Sequence, residues 1–105
     1  MTGRDTSDRI ARIGATARGD VQGVGFRWFI VREAAQLGLV GWVANAPDGT
    51  VRLEAEGERR ALDRLVALVR RGPAGADVEG VATSELRPLG TESAFSVRAL
   101  GHRGD

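Results

Sequence analysis

The order of the elements in this sequence predicts an α+β protein with a ferredoxin-like, split βαβ architecture. Alternating apolar residues mark strands, and apolar residues three and four apart mark two helices, in the order β-α-β-β-α-β plus a short terminal strand. This order is typical of an antiparallel sheet with both helices on one face. The chain has 105 residues, which is about the length of one domain with a single core.

The first strand and the first helix follow each other closely. Residues 10–18 alternate between apolar side chains and small or polar ones, as in a half-buried strand. From Phe26 the period changes to that of a helix, and Gly38 ends it. The apolar face of this helix consists of Phe26, Phe29, Ile30, Ala34 and Leu37.

A hairpin and a second helix occupy the middle of the chain. Residues 39–45 are predicted to form a strand, "APDGT" at residues 46–50 forms a turn, and residues 51–56 alternate again. The second helix is predicted from about Glu58 to Arg71, because its apolar residues share one face and "GP" follows it. Two later strands are predicted at Val78–Leu86 and around Phe95–Val97.

The composition is that of an ordinary soluble globular protein, with 42% hydrophobic residues and a net charge of +1. The absence of cysteine excludes disulfides and thiolate chemistry. All 15 basic residues are arginine, but 14 acidic residues nearly cancel them, so arginine abundance does not indicate a nucleic-acid partner. No apolar run reaches the roughly 18 residues of a membrane span. We expect a cytoplasmic monomer, without nucleic-acid or membrane partners. Its single domain at 10–99 is expected to lie between a flexible N-terminal tail at 1–9 and a C-terminal tail at 100–105.

The segment "GDVQGVGFR", Gly19 to Arg27, joins the first strand to the first helix. The first N–H groups of a helix have no intrahelical acceptor, and the helix dipole places about half a positive charge there. Gly23 and Gly25 permit a turn whose N–H groups point inward, and the guanidinium of Arg27 can bind two oxygens of one anion. The segment therefore predicts an anion site suited to phosphate.

Several phosphate-binding motifs are excluded by the residues present. A Walker A loop needs a lysine, which the chain lacks, and the dinucleotide pattern fails because Trp28 stands where its third glycine belongs. A cysteine phosphatase loop is excluded as well. Asp20 has no second carboxylate beside it for a metal-dependent aspartyl-phosphate mechanism, so covalent catalysis is not expected.

Three motifs in the same order resemble the acylphosphatase family: "GDVQGVGFR", "LGLVGWVANAPDGTV" and "RRGPAGADVEGV". The resemblance spans about residues 10–97 and implies a ferredoxin-like fold. It also implies a hydrolase, without cofactor or metal, that cleaves the carboxyl–phosphate anhydride of small acyl phosphates to a carboxylate and inorganic phosphate. In this family the arginine that ends the loop, here Arg27, binds the phosphoryl group, and the asparagine of "GWVAN", here Asn45, orients the attacking water. The predicted phosphate-binding loop consists of Gln22, Gly23, Val24, Gly25 and Phe26.

The sequence departs from the family pattern at Asp20, where similar sequences commonly carry a basic residue. We expect this carboxylate to face solvent, because the anion cradle needs only N–H groups from later residues. A site without histidine suits acyl phosphates, since a carboxylate leaving group with a pKa of about 4 needs no general acid. The loop amides, Arg27 and Asn45 would act by positioning and electrostatics.

Other conspicuous residues receive structural interpretations. We interpret Trp28 and Trp42 as packing residues, and His102 as a residue without a catalytic role. The arginines of the second helix are predicted to form solvated faces: Arg59, Arg60, Arg70 and Arg71.

Two functions other than hydrolysis are compatible with the element order. A non-catalytic anion-binding or regulatory module of the same fold would keep the glycines but would not need both Arg27 and Asn45. An RNA-recognition domain would stack bases on aromatic residues of its central strands, and "VRLEAEG" supplies none. We rank the RNA-binding alternative last.

Overall fold

The computed structural model describes residues 9–99, which form a five-stranded sheet with two helices. In chain order the elements are β1 (Ile10–Asp20), α1 (Phe26–Gln36), β2 (Val40–Asn45), β3 (Val51–Glu58), α2 (Arg59–Arg71), β4 (Asp77–Leu86) and β5 (Phe95–Val97). This order confirms the predicted ferredoxin-like architecture. The predicted tails, 1–9 and 100–105, lie outside the described residues apart from Arg9.

The strands lie in the order β4-β1-β3-β2-β5. The pairs β4–β1, β1–β3 and β3–β2 are antiparallel, as predicted. The last strand differs from the prediction, because β5 pairs in parallel with β2, with Phe95 opposite Gly41. The chain reverses direction after β4 and crosses to the other edge of the sheet, so β5 runs the same way as β2. The sheet is therefore mixed.

The alternation in β1 determines which face of the sheet is buried. Ile13, Ala15 and Ala17 are buried in one apolar cluster with residues of both helices. The buried residues of α1 are Phe26, Ile30 and Ala34, and those of α2 are Leu62, Leu65 and Val69. Full burial of a large apolar side chain contributes about 1.5–3 kcal/mol to stability. Both helices thus cover the same face of the sheet.

Residues 87–94, which we call the strap, connect β4 to β5 across the face opposite the helices. Glu56 lies on that face and accepts hydrogen bonds from the backbone N–H groups of Leu89 and Gly90, at 2.8 and 3.0 Å. Arg12 lies opposite Glu56 in the register and donates to Glu92 of the strap at 2.7 Å. The strap is thereby held over the end of the sheet at which β1 begins.

The helices begin and end close to the predicted positions. α1 begins at Phe26, as expected, and α2 begins at Arg59, one residue after the predicted start. Gly72 follows α2 with a φ of 70°, in the left-handed region that favours glycine. Within residues 9–99, neither helix is long and apolar enough to cross a bilayer.

Candidate active site

The loop between β1 and α1, residues 21–27, is called the anion loop below. Gly23 and Gly25 adopt left-handed backbone conformations, with φ values of 78° and 77°. A Cβ at either position would meet no atom within 4 Å, so the requirement for glycine is conformational, at about 1–2 kcal/mol per residue. Gly25 is the N-cap residue of α1, and no side chain caps this helix. The N–H groups of its first turn are therefore available to an anion.

A bulge at the end of β1 precedes this loop. The register between β1 and β4 shifts between Arg18 and Gly19, and Gly19 has a φ of 125°. A Cβ at Gly19 would overlap the carbonyl oxygen of Asp77. Bulges of this kind turn a strand locally, and this one lies where the chain leaves the sheet towards the anion loop.

Arg27 lies in the first turn of α1 and is half-buried. Its guanidinium makes no hydrogen bond or ion pair with any residue in the range 9–99. A guanidinium has five N–H donors in a planar fork, and those of Arg27 are thus uncommitted within the described chain. Residue 27 itself belongs to the first turn of α1, the positive end of the helix dipole, where an anion is favoured.

Asn45 is the last residue of β2 and lies at the same end of the sheet as the anion loop. It pairs with Val51 of β3, and Val51 pairs with Ala17 near the end of β1. Two strand spacings separate Asn45 from Ala17, or about 10 Å. The side-chain oxygen Oδ1 of Asn45 is buried and has no hydrogen-bond partner in the described part of the chain. An unpaired buried acceptor is costly, and it indicates a place for a donor such as water.

Gln22 connects the anion loop to the turn that follows Asn45. Its side-chain Nε2 donates to the carbonyl oxygens of Ala46 and Thr50, each at 2.9 Å. These carbonyls belong to residues 24 and 28 positions further along the chain. The contact joins the two segments that carry the predicted site residues.

The turn between β2 and β3 is closed by its own hydrogen bonds. Ala46 N–H donates to the Thr50 carbonyl at 2.8 Å, and Gly49 N–H donates to the Ala46 carbonyl at 3.1 Å. Asp48 Oδ1 accepts from the Thr50 hydroxyl at 2.6 Å and from the Thr50 N–H at 3.0 Å. The hydrogen bond from the Thr50 hydroxyl is the main cause that holds the pKa of Asp48 below its ordinary value. The turn thus fixes the end of β2.

The family model for acylphosphatases matches residues 13–97, which include the anion loop and Asn45. The chain belongs to the acylphosphatase family. It is accordingly an enzyme that hydrolyses acyl phosphates, with a small-molecule substrate and inorganic phosphate as a product, as the sequence predicted.

Curated and solved acylphosphatases are similar to the chain over most of its length. An acylphosphatase of Mycolicibacterium smegmatis is 41% identical over 98 residues, which is 93% of this chain and 100% of the relative. The crystal structure of an acylphosphatase from Bacillus subtilis superposes with a TM-score of 0.81 at 38% identity and covers 84% of this chain and 98% of its own. An acylphosphatase structure from Coxiella burnetii gives a TM-score of 0.80 at 38% identity, with 85% and 93% covered.

The residues that the sequence predicts to form an acylphosphatase site lie at one end of the sheet. The anion loop, Arg27 and Asn45 all lie there, while their individual roles stay predictions. Phe26 is buried and its ring packs edge-to-face on Phe29, with centroids 6.3 Å apart, so its side chain belongs to the core. Val24 likewise packs partly against the core.

Asp20 is exposed, as expected for a carboxylate directed away from an anion site. Within residues 9–99 no cluster of three or more His, Cys, Asp or Glu residues is arranged to hold a metal ion. His102 lies outside the described residues.

The interpretation of the tryptophans as packing residues is right for Trp42 and wrong for Trp28. Trp42 is 9% exposed, and the guanidinium carbon of Arg98 lies 4.9 Å from its ring centroid. Trp28 is 66% exposed. The helical period explains this, because position 28 lies on the side of α1 opposite the buried face of Phe26 and Ile30.

The prediction of solvated arginines in α2 is confirmed for Arg70 and Arg71, which are exposed, as is Arg60. It is wrong for Arg59, which is half-buried and binds both carboxylate oxygens of Glu85, at 2.9 and 2.7 Å. The pair forms because Arg59 opens α2 beside β4. The hydrogen bonds that Arg59 donates to Glu85 raise the pKa of Arg59 and lower the pKa of Glu85.

Proposed function

We propose that this acylphosphatase hydrolyses small acyl phosphates by direct attack of a water molecule on a phosphoryl group held by the anion loop. One observation carries the proposal: a loop with left-handed glycines and an uncommitted Arg27 lies at the same end of the sheet as Asn45, whose buried Oδ1 has no partner within the described residues. The loop residues Gln22, Gly23, Val24, Gly25 and Phe26 offer backbone N–H groups to the phosphoryl oxygens.

The reaction transfers the phosphoryl group from a carboxylate to water. The water oxygen forms a bond to phosphorus while the bond from phosphorus to the acyl oxygen breaks, and the carboxylate leaves with the electron pair of that bond. A water proton passes to a phosphate oxygen, so the products are a carboxylate and inorganic phosphate. No side chain needs to protonate the leaving group, because its pKa is about 4.

Arg27 and the loop amides act on the charge of the phosphoryl oxygens. In a loose transition state this charge is spread over three equatorial oxygens, and preorganised donors stabilise it without reorganisation. The planar fork of Arg27 fits two of these oxygens. The donors of Arg27 have no partner within residues 9–99, which supports this role. Those of Arg12, by contrast, are occupied by the carboxylates of Glu54, Glu56 and Glu92.

Asn45 acts on the nucleophile. Its Oδ1 accepts a hydrogen bond from the attacking water, which leaves a lone pair of that water directed at phosphorus. The buried and unpartnered state of Oδ1 supports this assignment, since a water molecule would satisfy it.

Two variants test the division of roles. Because an interaction with the water alone does not stabilise bound phosphate, Asn45→Ala should lose turnover while its phosphate affinity stays within a fewfold of the parent protein. Arg27→Ala should lose both. The measurements are kcat with an aromatic acyl phosphate and calorimetric titration of inorganic phosphate, with a phosphate ester assayed in parallel as the unreactive control.

Full turnover by a folded Asn45→Ala variant would remove the water-orienting role. Unchanged phosphate binding by Arg27→Ala would remove the phosphoryl-binding role. Hydrolysis of the ester at a rate similar to that of the acyl phosphate would contradict the absence of a general acid.

We further propose that the protein works as a monomer in the cytoplasm, without a nucleic-acid partner. The absence of cysteine is compatible with a reducing compartment, and the near balance of 15 basic and 14 acidic residues offers no electrostatic driving force for nucleic acid. All predicted site residues come from one chain. Light scattering after size-exclusion chromatography should give a mass near 11.1 kDa, and a stable dimer would contradict the proposal.

A further inference from the structure

We infer that Gln22 is a positioning residue, which sets the distance between the phosphoryl group in the anion loop and the water held by Asn45. The inference rests on the proposed function of Arg27 and Asn45. It gives the side chain of Gln22 a role different from phosphate binding, although the residue lies in the phosphate-binding loop.

The side-chain amide of Gln22 is fully used as a donor. An NH2 group has two hydrogens, and Nε2 of Gln22 donates to two carbonyls, those of Ala46 and Thr50, at 2.9 Å each. The remaining polar atom of the side chain, Oε1, only accepts hydrogen bonds and is repelled by an anion. The side chain therefore has no donor left for phosphate.

The two acceptors are the carbonyls that define the turn after β2. Ala46 is the residue next to Asn45, and its N–H donates to the same Thr50 carbonyl, at 2.8 Å. Thr50 is the residue before Val51, the register partner of Asn45. Gln22 thus contacts the backbone next to both members of the Asn45–Val51 pair, on the side of the turn. A shift of the loop relative to this turn would break these hydrogen bonds.

Apolar packing holds the anion loop against the core of the protein. Val21 is buried in the core, and Val24 packs partly against the core. Among the hydrogen bonds of residues 9–99, those of Gln22 are the ones that join the anion loop to the turn. They lie next to Gly23, which has a left-handed backbone conformation and, as glycine, no side chain that could hold the loop in place.

The proposed reaction requires that the anion loop and the turn after β2 keep a fixed separation. In-line attack needs the water oxygen and phosphorus about 3–3.5 Å apart, and an error of 1 Å can cost about 100-fold in rate. The phosphoryl group is bound by the anion loop, and the water is bound by Asn45 at the end of β2. The separation of these two segments therefore sets the distance between phosphorus and the water oxygen before attack. Gln22 acts on kcat through Asn45 and leaves anion binding to the loop amides and Arg27.

The test replaces Gln22 by methionine, which has similar length and no donor. Gln22→Met should lower kcat about 10- to 100-fold and leave the affinity for inorganic phosphate within a fewfold of the parent protein. Gln36→Met is the matched control, because Gln36 is exposed at the end of α1, and it should retain full kcat. Gln22→Asn keeps the amide but shortens its reach, and it should fold and show an intermediate kcat.

A double-mutant cycle with Asn45→Ala distinguishes positioning from a general structural role. If Gln22 acts through Asn45, Gln22→Met should lower kcat little further in the Asn45→Ala background. Equal fold-losses in both backgrounds would overturn the inference, as would a parental kcat in both Gln22 variants or a loss of phosphate affinity that matches the loss of kcat.

The same cycle separates this inference from the proposed function. If Asn45→Ala turns over like the parent protein, the assignment of the site is wrong, and the positioning role of Gln22 falls with it. If Asn45→Ala is slow but Gln22→Met is fast, the site assignment stands and only the role of Gln22 is wrong. Urea unfolding of each variant establishes that the compared proteins are folded.

Discussion

Arg12 is almost fully buried and donates from Nη1 to Oε1 of Glu56, its direct cross-strand neighbour, at 2.9 Å. The same guanidinium also donates to Glu54 at 3.0 Å and to Glu92 of the strap at 2.7 Å. These hydrogen bonds, that to Glu92 first, raise the pKa of Arg12. One buried cation thus joins three carboxylates from β3 and the strap at the end of β1 away from the anion loop.

Removal of the cation should destabilise the fold. Arg12→Met leaves Glu54, Glu56 and Glu92 close together without their counter-charge, and such a loss costs about 3–5 kcal/mol in free energy of unfolding. Glu79→Gln is the control, because Glu79 belongs to an exposed ion pair with Arg18 at 3.7 Å and should change stability by less than about 1 kcal/mol. Urea denaturation measures both. An Arg12→Met protein as stable as Glu79→Gln would contradict a structural role for the network.

The carboxylate of Glu56 should make the fold sensitive to acid. The Leu89 N–H, above all, and the hydrogen bonds from Arg12 and Gly90 hold the pKa of Glu56 below its ordinary value of 4.5. A lowered folded-state pKa contributes stability above the unfolded pKa, and this contribution is lost as the pH falls through the folded-state pKa. The free energy of unfolding should therefore fall as the pH decreases below about 4.5.

Glu56→Gln isolates this carboxylate. The variant should be less stable than the parent protein at neutral pH, and the difference between the two should shrink as the pH falls below about 4.5. Urea unfolding at several pH values measures the effect. A stability difference that stays constant over this range would show that protonation of Glu56 has no part in the acid response.

Truncation of the two tryptophans should change the free energy of unfolding by very different amounts. Trp28→Ala should change stability by less than about 0.5 kcal/mol because the side chain is 66% exposed, whereas Trp42→Ala should cost about 3–5 kcal/mol. Fluorescence gives an independent check, since acrylamide should quench the emission of Trp28 more than that of Trp42. The emission of Trp28 is measured as the component that is lost in Trp28→Phe. Equal quenching of both indoles would contradict their different exposure.

The sequence predicts most of the fold because its signals are local. The alternation at residues 10–18 and the helical period from Phe26 each appear within one element, and the boundaries agree with the structure within a few residues. The parallel pairing of β5 was not predicted, because it depends on where the strap leads the chain after β4. The prediction for Trp28 is wrong because a large apolar side chain favours burial, whereas its position on the helix directs this one to solvent.

The candidate site was predictable only in part. Arg27 and Asn45 follow from the resemblance to the acylphosphatases, and the glycines follow from the conformations that a strand-to-helix turn requires. The contacts of Gln22 have no local signal, because they join residues 24 and 28 positions apart across three strands. The period of two in "VRLEAEG" places Glu54 and Glu56 on one face, but only the register of β1 brings Arg12 opposite them.

Activity should survive removal of metal ions. The leaving carboxylate needs no Lewis acid, and the loop amides and Arg27 supply the positive charge that a metal would otherwise contribute. After exhaustive dialysis against EDTA, kcat with an acyl phosphate should equal that of the untreated protein. A loss of activity that magnesium or zinc restores would show that a step in the proposed mechanism is missing.

Arg27→Lys tests the geometry of phosphoryl binding, since it keeps the charge and removes the fork. A guanidinium binds two oxygens through parallel N–H groups, whereas an ammonium is a point charge on a flexible stem. The variant should remain folded and lose about 2–4 kcal/mol of transition-state stabilisation, by analogy with the removal of one preorganised donor. This loss corresponds to roughly 30- to 900-fold in kcat/KM.

Arg32→Lys is the control for this substitution, because Arg32 lies on the same helix, is exposed, and makes an ion pair with Glu33 at only 4.0 Å. It should keep the parental kcat/KM. Inorganic phosphate should inhibit the parent protein competitively, and its inhibition constant should rise in Arg27→Lys but not in Arg32→Lys. If Arg27→Lys and Arg32→Lys hydrolyse an acyl phosphate equally well, the bidentate role is wrong. Arg27 would then contribute charge alone, and the loop amides would carry the directional contacts to the phosphoryl group.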